Sequence, residues 1–400
     1  MKILQVFNRY QFRGGEEAWV DAIPNLLGDS AAVEELRFHS SDWTGPNKPS
    51  LLQQARWIGD NPESRVALRK KVRDCKPELL LFHNVIPVGS LGLYEEAKAL
   101  RLPVLQYTHN FRPFSPSGTL WNGKTVQTDA MHGNPWPEIL SGAWQNSRIK
   151  TGILALHLKR AIKQGLINCV DHWLAISDFM REQFIMAGIS REKITTLRHC
   201  HQITHCLSAS DNQDHYLYLG RLVPEKGVQI LMDAWKIIHE QLGADCPKLI
   251  IAGDGPMDTL VRETAGKISS VEYVGFVSGE QKETLIDHSR AIIVPSVWLE
   301  PLGLTVYDAY SHGRPVVAAR SGGLQETVIH EETGWSYDPH RPQELADTII
   351  SIEKAGAAER NMAGKKGFEW LRNNADIATW RKQFISLCHE AVEHRKKSKT

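Results

Sequence analysis

Two carboxylates stand eight positions apart in the stretch SVWLEPLGLTVYDA: Glu300 on a Pro/Gly loop, and Asp308 inside what reads as the helix that follows. A loop opening into a helix N-terminus is first of all a place for an anion, because the leading backbone amides are unpaired and the dipole is positive there. Pro301, Leu302, Gly303 and Leu304 lie at that opening, where a phosphate gains about 0.3–1 kcal/mol from the dipole. Glu300 and Asp308 would repel it. A carboxylate accepts paired hydroxyl hydrogens, so the two acids suit a neutral, hydroxyl-rich part of the same ligand. An anion and hydroxyls in one molecule describe a nucleotide diphosphate bonded to a sugar.

Other residues fit that ligand. GRLVPEKG places Arg221 and Lys226 on a loop after a strand, and two cations beside a helix N-terminus suit a diphosphate through ionic hydrogen bonds. IIAGDGP supplies Gly253 and Gly255, and EYVGF supplies Gly275 beside Phe276, where glycine permits close approach of a base or sugar. In NRYQFRGGEE, Gly14 and Gly15 form a turn whose amides could meet a leaving phosphate or an acceptor; this is not the GxGxxG of a dinucleotide site. His83 and His109 end two further strands. Each feature also has a bland reading: a surface Arg and Lys, a plain βα turn, a loop histidine bonded to backbone. HCHQITHC crowds His199, Cys200, His201, His205 and Cys206 together, but without the ligand spacing of a zinc module it reads as linker.

The elements that must position these residues follow one rhythm. Short β-rich runs (ILQVF, AAVEELRF, ELLLFH, PVLQYTH, HWLAIS, KITTL) alternate with amphipathic stretches, and HYLYLG, KLIIAG, VEYVGF, AIIVPS and PVVAAR repeat the pattern. Alternation of this kind predicts βαβ units and parallel sheets, hence an α/β protein of two Rossmann-like, doubly wound domains facing a central cleft. Ligands of open parallel sheets sit beyond the carboxyl ends of the strands. The expected domains are 1–205, 206–376 and a terminal helix with a basic tail, 377–400, packing back on the first domain.

Composition narrows the class. The 400 residues suffice for two cores, and 47 Lys plus Arg against 46 Asp plus Glu leave a formal net charge of +1, which gives no global attraction for nucleic acid. Six cysteines without CxxC spacing point to reduced thiols. The opening MKILQVFN reads as a strand rather than a signal peptide, and no run approaches the ~20 apolar residues of a membrane span, so the expected address is the cytoplasm. SRIKTGILALHLKRAIKQG, basic and amphipathic, reads as a packed helix, with peripheral contact to a membrane as the second reading.

Taken in order, EPLGLTVYD, GRLVPEKG, AGDGP, GF, SGGLQE and the N-terminal glycine loop resemble the retaining GT-B glycosyltransferases of the family 4 type, the glycosyl transferases group 1. That family places a Glu, seven residues and a second Glu after a strand; here Asp308 stands second, which puts the ribose contact in question. The resemblance implies that Glu300 holds donor-sugar hydroxyls, Asp308 the ribose, Arg221 and Lys226 the diphosphate, and that His109 meets the donor sugar. It implies a saccharide or lipid-linked acceptor in polysaccharide or lipid-linked glycan assembly, and a departing phosphate that takes the acceptor's proton. No cofactor is expected. With no DxD-type pair at a strand end, metal independence is expected as well. Phe111 to Trp144, rich in Pro, Gly and aromatics, would shape the acceptor site; it lacks the cysteines that could clip it with a metal in related sequences. Two rivals remain: a nucleotide-sugar-binding partner without activity, and a nicotinamide oxidoreductase, whose glycine fingerprint is missing.

Overall fold

The computed structural model describes residues 1–10, 14–46, 48–203 and 213–397. It divides into two compact units. Unit 1 comprises residues 1–122, 126–199 and 377–400; unit 2 comprises 123–125 and 200–376. The domain boundary expected at 205/206 lies outside the described residues.

Unit 1 is built on six parallel strands: β1 (Lys2–Arg9), β2 (Ala32–His39), β3 (Leu79–Phe82), β4 (Val104–Thr108), β5 (His172–Ala175) and β6 (Ile194–Thr196). Their order across the sheet is β2-β1-β3-β4-β5-β6. β3 and β4 are buried throughout, which is why LLLF reads as an unbroken apolar run rather than an alternating one, while in VLQYT the buried Gln106 accepts from the Tyr94 hydroxyl at 2.5 Å and Thr108 Oγ1 donates to the Leu174 carbonyl at 2.7 Å. The helix Ile377–Lys397 buries Trp380, Phe384, Cys388 and Ala391. Trp380 packs edge-on to Trp19 and donates from Nε1 to the Tyr107 hydroxyl at 3.2 Å.

Unit 2 repeats the plan with β7 (His215–Leu219), β8 (Lys248–Ala252), β9 (Val271–Gly275), β10 (Ser289–Val294), β11 (Val316–Ala319) and β12 (Gly334–Tyr337), again parallel and ordered β12-β11-β10-β7-β8-β9. The sequence pattern does not mark the edge strand β12, because GWSY is four residues long and carries no apolar run. Tyr216, Trp235, Ile251, Ile293 and Tyr337 pack in its core. Among the described residues no helix is long and apolar enough to cross a membrane.

Each strand order contains one place where consecutive connections leave in opposite directions: between β1 and β3 in unit 1, and between β7 and β10 in unit 2. The loops at the carboxyl ends of those strands part there and leave a crevice. Lys226 and Glu300 lie on the two loops of one such point; Gly14, Gly15 and His83 follow the two strands of the other.

Candidate functional site

In unit 2 the chain leaving β7 makes a single 3-10 turn, Pro224–Lys226, that ends at Gly227 with φ +71°. A Cβ on Gly227 would stand 1.7 Å from the Pro295 carbonyl oxygen, so only glycine lets the loop after β7 press on the loop after β10. Val297 N–H donates to the Glu225 carbonyl across the same contact. Lys226 Nζ is thereby held 2.6 Å from Glu300 Oε2. Ser296 Oγ and Trp298 Nε1 donate to that same oxygen, each at 2.9 Å, and the ammonium lies 5.2 Å from the Trp298 ring centroid. Burial works to raise the Glu300 pKa, but the Lys226 charge and these hydrogen bonds prevail and hold it below the ordinary carboxylate value. The result is an ionised carboxylate fixed in one orientation.

The rest of the EPLG loop is clamped from behind. Gly322 and Gly323 approach so closely that a Cβ on either would stand 2.4 Å from the Glu300 or the Pro301 carbonyl, and Gly323 N–H donates to the Glu300 carbonyl at 2.7 Å. Pro301, Leu302 and Gly303 are buried. The helices Leu304–Ser311 and Val228–Leu242 begin after Gly303 and Gly227, and neither has a side-chain cap. Their leading amides remain available to an anion. Arg221 is exposed at the end of β7, and its carbonyl accepts from the Tyr218 hydroxyl at 2.7 Å. Asp308 pairs with Lys282 at 2.9 Å, both partly exposed.

The glycines after β8 have a reason internal to the protein. A Cβ on Gly253 would lie 1.8 Å from the Gly220 carbonyl oxygen, and one on Gly255 would lie 2.5 Å from that of Leu222. Glycine is demanded there by the neighbouring loop, whatever ligand is bound. Gly275 has φ +75° with open space around it, and Phe276 beside it is 71% exposed.

In unit 1, His83 Nδ1 lies 2.9 Å from His109 Nε2, and His109 Nδ1 lies 3.0 Å from His199 Nε2. Both ring nitrogens of His109 are thus engaged by other histidines, and a bond from its ring to a sugar would require one of them to open. The three rings are buried. Burial pushes His109 down to about 3, and His83 and His199 well below the usual imidazole range. Neutral imidazoles carry one N–H each, so the chain runs in one of two directions, leaving a bare nitrogen at one end and an N–H at the other. Those end atoms, His83 Nε2 and His199 Nδ1, have no hydrogen-bond partner among the described residues. The sequence pattern places His199 in a linker; it is instead part of this core, its ring centroid stacked 4.0 Å from that of Trp19. His201 belongs to unit 2, edge-on to Tyr307, while His205 and Cys206 lie outside the described residues.

Beside these rings, Glu16, His83, Asn84, His109, Asn110 and Arg112 line an open pocket. Tyr10 hydroxyl and Asn110 Nδ2 donate to Glu16 Oε2 at 2.8 and 2.9 Å, and Asn84 Nδ2 donates to the Tyr10 hydroxyl at 2.9 Å. Burial pushes the Glu16 carboxyl up to about 7 against the lowering effect of those bonds. No role was expected for Glu16. The available signal was GGEE itself, two acids in the first turn of a helix where an anion would otherwise bind.

The insertion expected to shape an acceptor site is folded around Glu138. Its carboxylate is buried and accepts from Ser115 Oγ at 2.6 Å and Ser117 N–H at 2.8 Å. The basic helix Arg148–Lys163 buries Thr151, Leu154, Ala155 and Leu158 while Ile149 and Leu156 stay exposed.

Residues 207–370 match the family model described as glycosyl transferases group 1. The chain is 33% identical over 152 residues to an uncharacterized glycosyltransferase of Methanocaldococcus jannaschii, covering 36% of this chain and 38% of that one. It is 30% identical over 174 residues to the GDP-mannose-dependent alpha-(1-6)-phosphatidylinositol monomannoside mannosyltransferase of Mycobacterium tuberculosis, covering 41% and 43%. The chain spans about two fifths of the length of these curated relatives. Over nearly its full length the fold superposes on Anabaena HepE solved in complex with UDP, with a TM-score of 0.67 at 20% identity and coverage of 98% and 100%. The two parallel six-stranded sheets with their flanking helices are a GT-B fold.

Proposed function

We propose that this protein is a retaining glycosyltransferase that moves a sugar from a nucleotide diphosphate donor to an acceptor hydroxyl. The observation that carries the reading is the Lys226–Glu300 pair at the switch point of the unit 2 sheet, beside two helix N-termini without side-chain caps. As the sugar–phosphate bond breaks, its electron pair leaves with the diphosphate and the sugar becomes oxocarbenium-like. Arg221, Lys226 and the amides after Gly303 stabilise the growing negative charge; one pre-aimed donor of this kind contributes about 3–4 kcal/mol in known cases. Glu300, ionised and fixed, accepts hydroxyl hydrogens of the sugar. Asp308 releases Lys282 and takes the ribose. Gly253, Gly255, Gly275 and Phe276 border the nucleotide.

Unit 1, with Gly14, Gly15 and the pocket beside His109, is assigned the acceptor. The acidic first turn after Gly15 argues against a phosphate at that turn. Polysaccharide or lipid-linked glycan assembly is the setting we favour, with metal-independent turnover. Exposed Ile149 and Leu156 among Arg148, Lys150, Lys159 and Lys163 suit peripheral contact with an anionic lipid surface.

The reading is tested by thermal shift and transfer assays with UDP-, GDP- and ADP-sugars, with and without chelator. Release of nucleotide and a glycosylated acceptor carrying the donor's anomeric configuration is the expected result. Nucleotide binding without transfer to any acceptor would instead favour a binding partner.

A further inference from the structure

We propose that three neighbouring helices of unit 1 form one docking surface for an anionic lipid bilayer. The inference deepens the membrane contact favoured above and rests on that reading of the basic helix, not on the chemistry of transfer.

The helices are Leu51–Trp57, Trp136–Ser141 and Arg148–Lys163. His157 Nε2 of the long helix lies 2.8 Å from the Ala55 carbonyl of the first. A Cβ on Gly152 would stand 3.8 Å from Ile139 Cγ2 of the second. In the long helix Thr151, Leu154, Ala155 and Leu158 are buried on one side, whereas Ile149 and Leu156, two turns apart, lie exposed on the other. Among the described residues eleven large apolar side chains are exposed, and six of them belong to these helices: Leu51, Leu52, Trp136, Leu140, Ile149 and Leu156, each between 61% and 85% exposed. Apolar groups scattered singly over a surface need no explanation, but a gathering on packed helices marks an interaction surface.

Charge decides what covers it. The same helices carry exposed Arg56, Arg148, Lys150, Lys159, Arg160 and Lys163, and their one carboxylate, Glu138, is buried. None of these cations pairs with a carboxylate among the described residues; Lys150 bonds only to the Gln145 amide oxygen at 2.9 Å. Elsewhere in unit 1 the contrast is plain, since Arg65 and Arg69 share Glu96 at 2.8 and 3.0 Å. The formal net charge of +1 gives the chain no general pull toward anions, so the attraction is local. An acidic protein would have to present carboxylates in register with cations spread over three helices, whereas a plane of anionic headgroups meets them in any register. Apolar side chains then enter beneath the headgroups, the lysine and arginine stems extend past them, and Trp136 has the amphipathic ring suited to that depth. Unit 1 is the unit assigned the acceptor, so the surface favours an acceptor sugar borne on a lipid.

The test uses the full chain and vesicles of phosphatidylcholine, alone or mixed with phosphatidylglycerol, with binding read by flotation. Binding should require phosphatidylglycerol and weaken as salt is raised. Lys159→Gln with Lys163→Gln should lower the partition onto mixed vesicles by roughly tenfold or more, at about fivefold per cation. Ile149→Ser with Leu156→Ser should lower it by a similar factor, with circular dichroism unchanged because both side chains are exposed. Met362→Ser removes an exposed apolar group in unit 2 and should bind as the wild type does. The proposal is overturned if the wild type does not float with mixed vesicles, binds pure phosphatidylcholine equally well, or is matched by both double variants. A wild type that ignores vesicles but sediments as a dimer, which the double variants dissociate, would give the surface to a second copy instead. Transfer from UDP-glucose, GDP-mannose or ADP-glucose to soluble alkyl glycosides is assayed without vesicles. Its absence beside intact vesicle binding counts against glycosyl transfer and leaves the surface standing; transfer without vesicle binding does the reverse.

Discussion

At the ends of β7 and β10 a lysine and a glutamate stand 2.6 Å apart and the glutamate is held ionised, whereas at the ends of β1, β3 and β4 burial strips His83 and His109 of charge and brings Glu16 up to about 7. Both places are switch points of parallel sheets, so the architecture does not account for the contrast. The partners do. Glu300 is buried with a cation and two neutral donors aimed at a single oxygen, which outweighs desolvation. Glu16 is enclosed with a hydroxyl, a side-chain amide and the Asn84 backbone amide, with the Arg112 charge only a minor influence, and among the described residues His83, His109 and His199 are hydrogen-bonded through their rings to one another, so desolvation prevails. Two crevices of one design therefore offer different chemistry, one a fixed charge array and the other neutral imidazoles beside a carboxyl that titrates near neutrality.

The comparison breaks most visibly if the charged end is made neutral. Lys226→Ala should cut sugar transfer ~10²-fold or more and destabilise unit 2 by about 1–3 kcal/mol, since Glu300 keeps its burial and loses its cation. Pairing it with Glu300→Gln should restore stability in urea unfolding while transfer stays lost. Transfer at the wild-type rate in folded Lys226→Ala would remove the lysine from the mechanism.

The neutral end is read by pH. Unfolded imidazoles protonate below about pH 6.5, while native His109 resists protonation down to about 3. Between those limits the unfolded state binds more protons, so stability is lost as pH falls, by about 1.4 kcal/mol per pH unit for each such histidine. Glu16 works in the opposite sense: its native value is raised to about 7, so its contribution is present below the unfolded carboxyl value and is lost as pH rises through 7. One carboxyl against three histidines leaves a net loss on acidification from pH 6.5 to 5. Urea unfolding of wild type and His109→Asn at these pH values checks it; equal slopes would show that the histidines titrate normally.

Glycines sharpen the contrast with smaller effects. Gly227→Ala must displace the Pro295 carbonyl and abandon a left-handed φ, so a loss of about 2–4 kcal/mol is expected. Gly14→Ala meets open space at an extended φ of −138° and should cost less than about 1 kcal/mol. Thermal denaturation of the two variants side by side makes the comparison. Smallest of all, Asp308→Asn breaks a partly exposed pair with Lys282 and should change stability by about 0–1 kcal/mol. Its effect should fall on nucleotide affinity measured by calorimetry, whereas Glu300→Ala should impair transfer more than affinity.

Much of this was legible in advance where local pattern and local chemistry coincide. The unbroken apolar run at Leu79–Phe82 announces a buried parallel strand, and PEKG announces a loop with a cation at its tip. Glu300 is recognisable because it sits on a Pro/Gly turn before a helix. By contrast, Ser296 and Trp298 carry no mark in the sequence of their bond to Glu300, and Gly322 and Gly323 reveal their clamp only once β11 lies beside β10. His199 looked like linker because 26 residues separate His83 from His109 and 90 separate His109 from His199.

The sequence by itself determined the kind of elements and which strand ends carry charge, because hydrophobic period, turn residues and cap types act over a few neighbouring positions. Only the tertiary structure decided which acids remain ionised and which histidines meet. Desolvation and ion pairing depend on what the fold packs within a few ångströms, and sequence separation does not measure that distance.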